Sequence, residues 1–307
     1  MSNINTEIKI GKTVWKNPVT TGSGTFGSGL GMREYVDLNR LGAITIKGTT
    51  LTARPGNLPP RMIETRSACL GSVGLENPGV DAVLKDIIPE VAEYDSVLIV
   101  NIGGSSVEEY EEVAKRLNTS PDVDAIEINI SCPNLKKGGL GFGTDPEMAG
   151  SVIAAVRKAT DKTVIAKLTP AVTDITVMAR AARDNGADAL TLSNGYPGLA
   201  ISAKTRKPVL GNIQGGVCGP SLKPINMLHV WKASQAVDIP IIALGGIINA
   251  TDAIEYILAG ATGVSIGTGN LLDPTTTMKV VDGIEEYMIQ NGIEDINELV
   301  GYAWKHI

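Results

Sequence analysis

Short apolar runs alternate with segments of helical periodicity along almost the whole chain. Val19–Gly22, Ala43–Lys47, Val97–Ile102, Ala125–Ile130, Thr163–Lys167, Ala189–Ser193, Pro240–Leu244 and Gly263–Ile266 are predicted as eight strands. Most of these runs are continuously apolar, the pattern of parallel strands covered on both faces. Between them, Val107–Leu117, Asp145–Ala159, Thr173–Asn185, Ala250–Ala259 and Thr275–Gln290 repeat apolar residues at helical spacing. Asp145-Pro146-Glu147 supplies an N-cap with proline at the first helical position, and Asn185-Gly186 supplies a helix end. Eight β/α alternations predict an α/β fold, a (β/α)8 TIM barrel.

Ahead of the first strand, Glu7–Ile10 and Thr13–Trp15 flank Gly11-Lys12 and predict an N-terminal β-hairpin across the barrel bottom. Thr49–Pro78, Ser131–Thr144 and Gly195–Pro220 are predicted as long loops after strands two, four and six. Loops there emerge at the C-terminal face, where barrels place their chemistry. Neither a Ser/Pro/Gly linker nor a repeat divides residues 1–307, which read as one domain.

Composition removes several function classes. Against 33 acidic residues stand 27 basic ones, a net charge of −6. That balance leaves no electrostatic footprint for nucleic acid or an anionic membrane. The first eleven residues lack the pattern of a secretory signal, and no run approaches the roughly 18 apolar residues of a spanning helix. A cytoplasmic protein is expected. Cys69, Cys132 and Cys218 are scattered, without a CxxC pair, so no metal or cluster site is expected on this chain. Cys69 and Cys218 read as small buried thiols.

Candidate chemistry gathers at the strand ends. Leu244-Gly245-Gly246 and Ile266-Gly267-Thr268-Gly269 follow strands seven and eight, where freed backbone N–H groups commonly grip a phosphate. Lys47 and Lys167 close apolar strands and should face the barrel mouth, where each needs an anionic or electron-rich partner. Asn101, Asn129 and Asn194 also end strands, and asparagine reads the polar edge of a heterocycle without adding charge. Together these point to a flavin and substrate site. In Asn129-Ile130-Ser131-Cys132-Pro133-Asn134, proline fixes the loop direction and Cys132 is the best proton-transfer group, as His229 lies within a helix and His306 at the tail. A lysine Schiff-base lyase is a rival on the same barrel, but it leaves the cysteine loop without a role.

These residues carry a resemblance. Asn129–Asn134 with Gly138–Pro146, Gly74-Leu75-Glu76-Asn77-Pro78-Gly79, Lys204-Thr205-Arg206-Lys207-Pro208, Gly215-Gly216 with Gly219-Pro220, and Leu244-Gly245-Gly246-Ile247 are collinear with the class 1 dihydroorotate dehydrogenases. Most closely, the chain resembles the class 1B catalytic subunit, NAD-linked and heteromeric, and the match runs from about Val14 to Asp273. The cysteine of the Asn-Ile-Ser-Cys-Pro-Asn loop separates it from membrane-associated class 2 enzymes, which place serine there.

The resemblance implies FMN as cofactor and oxidation of dihydroorotate to orotate, with Cys132 as the base at C5 and hydride passing from C6 to flavin N5. It implies that Gly22, Ser23, Gly24, Lys47, Asn101, Asn129, Lys167, Gly219, Gly245, Gly246, Gly267 and Thr268 bind the cofactor. Lys47, Gly71, Val73, Gly74, Leu75, Asn129, Asn134, Asn194 and Gly195 are implied to line the substrate. A homodimeric core is implied, with a partner subunit carrying FAD and [2Fe–2S] that passes electrons to NAD.

The chain also departs from the family pattern. Gly71 stands where the family has a substrate-contacting asparagine, Gly195 follows Asn194 where the family has threonine or serine, and Ala171 replaces an asparagine after Thr169-Pro170. Both glycines are expected to widen the pocket, with the Ser72 hydroxyl as a replacement contact. The alternative is a related cyclic amide or enone-type substrate.

Overall fold

The structure is a computed structural model that describes residues 4–130 and 142–307. β1 (Ile8–Ile10) and β2 (Thr13–Trp15) pair antiparallel around Gly11, whose φ of 58° suits a residue without a Cβ. This hairpin buries Ile8, Ile10 and Trp15 against the barrel.

β3 (Val19–Thr21) and β4 (Ala43–Thr49) open the barrel, and β5 (Met62–Glu64) and β6 (Cys69–Gly71) rise from the loop after β4. β7 (Val97–Ile102), β8 (Ala125–Asn129), β9 (Thr163–Lys167) and β10 (Ala189–Leu192) continue the barrel wall. The loop after β10 contains β11 (Tyr196–Leu199), β12 (Ile201–Ser202), β13 (Lys207–Pro208) and β14 (Gln214–Cys218). β15 (Ile241–Leu244) and β16 (Gly263–Ile266) complete the wall.

The eight wall strands run parallel in the order β3-β16-β15-β10-β9-β8-β7-β4. The seam between β3 and β4 is closed by polar contacts. Gly42 N donates to Val19 O at 3.1 Å, Thr45 N donates to Thr21 Oγ1 at 3.1 Å, and the Thr20 and Thr45 hydroxyls lie 3.0 Å apart. Helices cover the outside in the predicted manner. Helix Val107–Asn118, for example, buries Tyr110, Val113, Ala114 and Leu117, one stripe at i, i+3, i+4 and i+7. Asp145 caps helix Pro146–Ala159 by accepting from Glu147 N at 2.9 Å and Met148 N at 3.0 Å.

The predicted strands and helices lie within one or two residues of the observed ones. The two loops read as irregular are corrected: Thr49–Pro78 and Gly195–Pro220 join in a four-stranded antiparallel sheet, β11-β14-β6-β5. That sheet also brings together two cysteines 149 positions apart. Cys69 and Cys218 are register partners, and Cys218 Sγ donates to Cys69 O at 3.5 Å. Most of the third loop, Ser131–Thr144, lies outside the described residues.

Candidate active site

Four adjacent wall strands send one polar side chain each to a common point. In register, Asn101 of β7 stands beside Glu127 of β8, and Lys167 of β9 stands beside Asn129 of β8 and Thr191 of β10. Glu127 Oε1 accepts from Asn101 Nδ2 at 2.6 Å and from Lys167 Nζ at 3.3 Å, while Oε2 accepts from Thr191 Oγ1 at 2.7 Å. All four side chains are buried. Lys167 also reaches Ser23 Oγ at 3.4 Å, which ties the end of β3 to the opposite wall.

Lys47 completes the charge pattern. Burial, and then the charge of Lys167, push its ammonium below the usual lysine range. Glu76 opposes that shift from beyond ion-pair distance and is itself paired with Arg61, so among the described residues Lys47 makes no ion pair while Glu127 pairs with Lys167. Such a mouth attracts an anion.

A second cluster forms at the ends of β15, β16 and β3. Gly245 and Gly246 have φ of 114° and 77°, and a Cβ on them would sit 2.2 Å from Asn226 Nδ2 and 2.7 Å from Lys223 Cβ. Only glycine fits that turn. Asn226 Nδ2 donates to Leu244 O at 3.0 Å, Tyr256 OH donates to Gly245 O at 2.8 Å, and Lys223 is held by Asp252 and Glu255. Gly22 and Gly267 approach each other closely, since a Cβ on Gly22 would lie 3.0 Å from Gly267 Cα. Thr268 follows at the start of the short helix Gly269–Leu272, and a Cβ on Gly24 would meet open space. Gly219 stands at the turn from β14 into helix Lys223–Ser234, the helix that brings Asn226 to Leu244, and the atoms nearest a Cβ there belong to Ala68 and Cys69.

Three buried polar atoms near these clusters have no hydrogen-bond partner among the described residues: Asn101 Oδ1, Ser193 Oγ and Asn226 Oδ1. A buried polar atom left unpaired costs about 1–3 kcal/mol. Their placement, beside the lysine pair and beside the glycine turn, fits a site that takes a polar, phosphate-bearing ligand along its length.

The substrate-side residues form the roof of the mouth. Asn194 Nδ2 donates to Asn129 Oδ1 at 3.0 Å, so these two expected pocket residues are joined. Leu75 takes φ of 53°, and its methyls lie where Cβ atoms on Gly48 and Gly103 would approach to 3.0 Å. Asn57 pins the preceding turn, donating from Nδ2 to Ser72 O at 3.1 Å and Ser72 Oγ at 2.9 Å, and from its backbone N to Val73 O at 2.9 Å. The Ser72 hydroxyl expected as a replacement contact accepts from Asn57 and keeps its own O–H to donate.

The two departing glycines are not equivalent, and the expectation that both widen the pocket is corrected. Among the described residues, a Cβ on Gly71 meets only Met62 Cε, at 3.8 Å, so they leave space open there. A Cβ on Gly195 would lie 3.1 Å from both Gly216 Cα and Val217 O, because the backbone of β14 fills the position. Ala171 is exposed, its N–H donating to Thr169 Oγ1 at 3.3 Å. Cys132 and Asn134 lie outside the described residues.

Sequence reasoning missed Glu127, Thr191, Ser193 and Asn226. Glu127 had a signal: a carboxylate in the middle of the apolar run Ala125–Ile130, two positions before Asn129 and so on the same strand face. Asn226 gave none, since a polar residue on an amphipathic helix ordinarily faces solvent.

A model of the dihydroorotate dehydrogenase family matches residues 5–288. The chain is 51% identical over 300 residues to the dihydroorotate dehydrogenase B (NAD(+)) catalytic subunit of Desulforamulus reducens, covering 98% of this chain and 99% of that one. The same subunit of Thermoanaerobacter pseudethanolicus is 49% identical over 298 residues, covering 97% and 98% of the two chains. That of Porphyromonas gingivalis is 48% identical over 299 residues and covers 97% of each. In fold, the chain resembles the crystal structure of the Eimeria tenella dihydroorotate dehydrogenase in complex with ferulenol, with a TM-score of 0.81 at 22% identity, covering 97% of this chain and 88% of that one.

Proposed function

The chain belongs to the dihydroorotate dehydrogenase family, with B-type catalytic subunits among its relatives, and on that premise we propose that it oxidises dihydroorotate to orotate with FMN as resident cofactor. The observation that carries the cofactor reading is the set of polar atoms without a partner among the described residues: Asn101 Oδ1 beside Glu127, Ser193 Oγ at the end of β10, and Asn226 Oδ1 at the glycine turn. FMN supplies the hydride acceptor when bound. Gly22, Ser23, Gly24, Asn101 and Lys167 hold its ring, and Gly245, Gly246, Gly267 and Thr268 hold its phosphate.

Lys47 pairs with the substrate carboxylate, a role suited to a half-buried ammonium that makes no ion pair of its own among the described residues. Asn129 and Asn194 read the amide edge of the ring, while the Val73-Gly74-Leu75 backbone walls the pocket. Cys132 takes the proton from C5. In thiolate form it accepts that proton as the C6 hydride departs, leaving a C5–C6 double bond and a neutral thiol. The barrel and its covering sheet act as one domain.

Electrons leave through a partner. The curated relatives are named catalytic subunits of an NAD(+)-linked enzyme, which favours a second subunit carrying FAD and [2Fe–2S]. Among the described residues no helix is long and apolar enough to cross a membrane, in keeping with a place in the cytoplasm. The exposed apolar residues Leu58, Met62, Leu199, Ile201 and Ile213 on and around the covering sheet favour a homodimeric core.

Open space at Gly71 favours one second reading, a cyclic amide or enone-type substrate bulkier at that edge than dihydroorotate. An anaerobic titration of the FMN-loaded protein with dihydroorotate separates the two. Bleaching of the flavin spectrum supports dihydroorotate. A spectrum that stays oxidised overturns the pyrimidine reading and moves the assignment to the wider substrate class.

A further inference from the structure

Lys167 and Glu127 form the most deeply buried ion pair among the described residues, each side chain 5% exposed. Burying a carboxylate costs several kcal/mol unless its oxygens are well paired. Here the close partners are neutral: Asn101 at 2.6 Å and Thr191 at 2.7 Å, against 3.3 Å for the ammonium. The carboxylate is therefore fixed by β7 and β10 independently of the lysine. Lys167, held only by contacts of 3.3 and 3.4 Å, keeps donor capacity for a ligand. Nothing in the chemistry of the substrate requires an acid at this depth.

We propose that Glu127 is a positioning residue for Lys167. It anchors the ammonium at the mouth and offsets part of its charge, so that the electron affinity of a bound flavin is set by the pair instead of by the lysine alone. This inference rests on the FMN reading above. A bare ammonium beside the ring stabilises the anionic reduced cofactor most strongly, and a fixed carboxylate behind it weakens that field. Asn101 and Thr191 matter because they hold the compensating charge in place.

The test uses the FMN-loaded holoprotein and two readouts other than turnover: the reduction potential of the bound flavin against a reference dye, and sulfite affinity, which rises with the electron deficiency of the ring. Glu127→Gln keeps the shape of the side chain and removes its charge. It should raise the potential and tighten sulfite binding by roughly tenfold or more, the size expected for one charge acting across a partly buried site. Lys167→Gln should shift both readouts the opposite way, and Glu127→Asp, which restores the charge, should return them toward wild type. A purely structural role would lower the melting temperature and leave both readouts unmoved. Glu127→Gln with full FMN content and wild-type potential and sulfite affinity overturns the proposal.

If Glu127→Gln fails to hold FMN, Thr191→Val decides. It conserves volume and removes one of the two side chains that fix the carboxylate, so the less firmly placed compensating charge should raise the potential and tighten sulfite binding, in the direction of Glu127→Gln. Unchanged values overturn the proposal there too. A wild-type protein that takes up no FMN sinks the cofactor reading itself, a failure distinct from a loaded protein indifferent to Glu127.

Discussion

Gly71 and Gly195 look alike in sequence, yet a side chain has opposite consequences at the two positions. At Gly71 the backbone is unstrained and, among the described residues, only Met62 Cε is near, so Gly71→Asn should leave the melting temperature unchanged. If dihydroorotate is the substrate, the added amide should tighten orotate binding about tenfold, the worth of one hydrogen bond, as read by calorimetry. At Gly195 even alanine pushes its Cβ against the backbone of β14, and Gly195→Ala should cost about 1–3 kcal/mol in urea unfolding, the usual penalty of overpacking. Lys47 gives a pH signature at the same scale. Its ammonium sits below the usual lysine range through burial and the charge of Lys167. A carboxylate ligand needs that ammonium charged, so affinity is full below the lowered pKa and falls as pH rises through it. Orotate titrations of the oxidised holoprotein should show this decline before the ordinary lysine range is reached, and Lys47→Met should abolish the pH dependence along with most of the affinity. A decline that survives in Lys47→Met would assign it to another group.

At the scale of elements, legibility follows how local the determining contacts are. Wall strands such as Val97–Ile102 and Thr163–Lys167 and caps such as Asp145 are specified within a few residues, and their predicted positions agree with the structure. Asp145→Ala should accordingly cost about 1 kcal/mol in urea unfolding by freeing the amides of Glu147 and Met148, and a cost near zero would deny the cap an energetic role. The covering sheet was not legible, because its central pair joins β6 to β14 across more than 140 positions. β14 reads Gln214-Gly215-Gly216-Val217-Cys218, with neither alternation nor β-branched density to announce a strand. The glycines are there because two backbones must meet: a Cβ on Gly215 would lie 2.7 Å from Gly71 O. The site divides in the same way. Lys47, Lys167 and the strand-end asparagines were readable because strand parity aims them at the mouth, whereas Asn226 reaches the glycine turn from a helix whose docking no local pattern encodes.

At the scale of the whole molecule, the covering sheet belongs to two environments. Along β11, Tyr196 and Gly198 are half-buried while Pro197 and Leu199 are exposed, and Tyr196 stacks on His229 of helix Lys223–Ser234, so one side of the strand packs on the barrel's outer layer and the other meets solvent. The outward side continues through Ile201, Ile213 and Leu58, which are 65%, 60% and 78% exposed. Scattered apolar side chains are ordinary on a protein surface, but a cluster carried by neighbouring strands is a surface that a second copy can cover. With a net charge of −6, two copies repel at long range, so association has to come from this apolar contact and should persist or strengthen in high salt. The wild-type chain should therefore sediment as a dimer across a range of ionic strength. The double variant Leu199→Glu with Ile201→Glu should sediment as a monomer while keeping its bound flavin, since both residues are exposed and neither is assigned to the flavin site. A variant that stays dimeric would put the interface elsewhere on the barrel. One that becomes monomeric and also loses substrate binding would mean that the second copy holds the sheet, and with it the Gly71 and Gly195 edge of the pocket, in place.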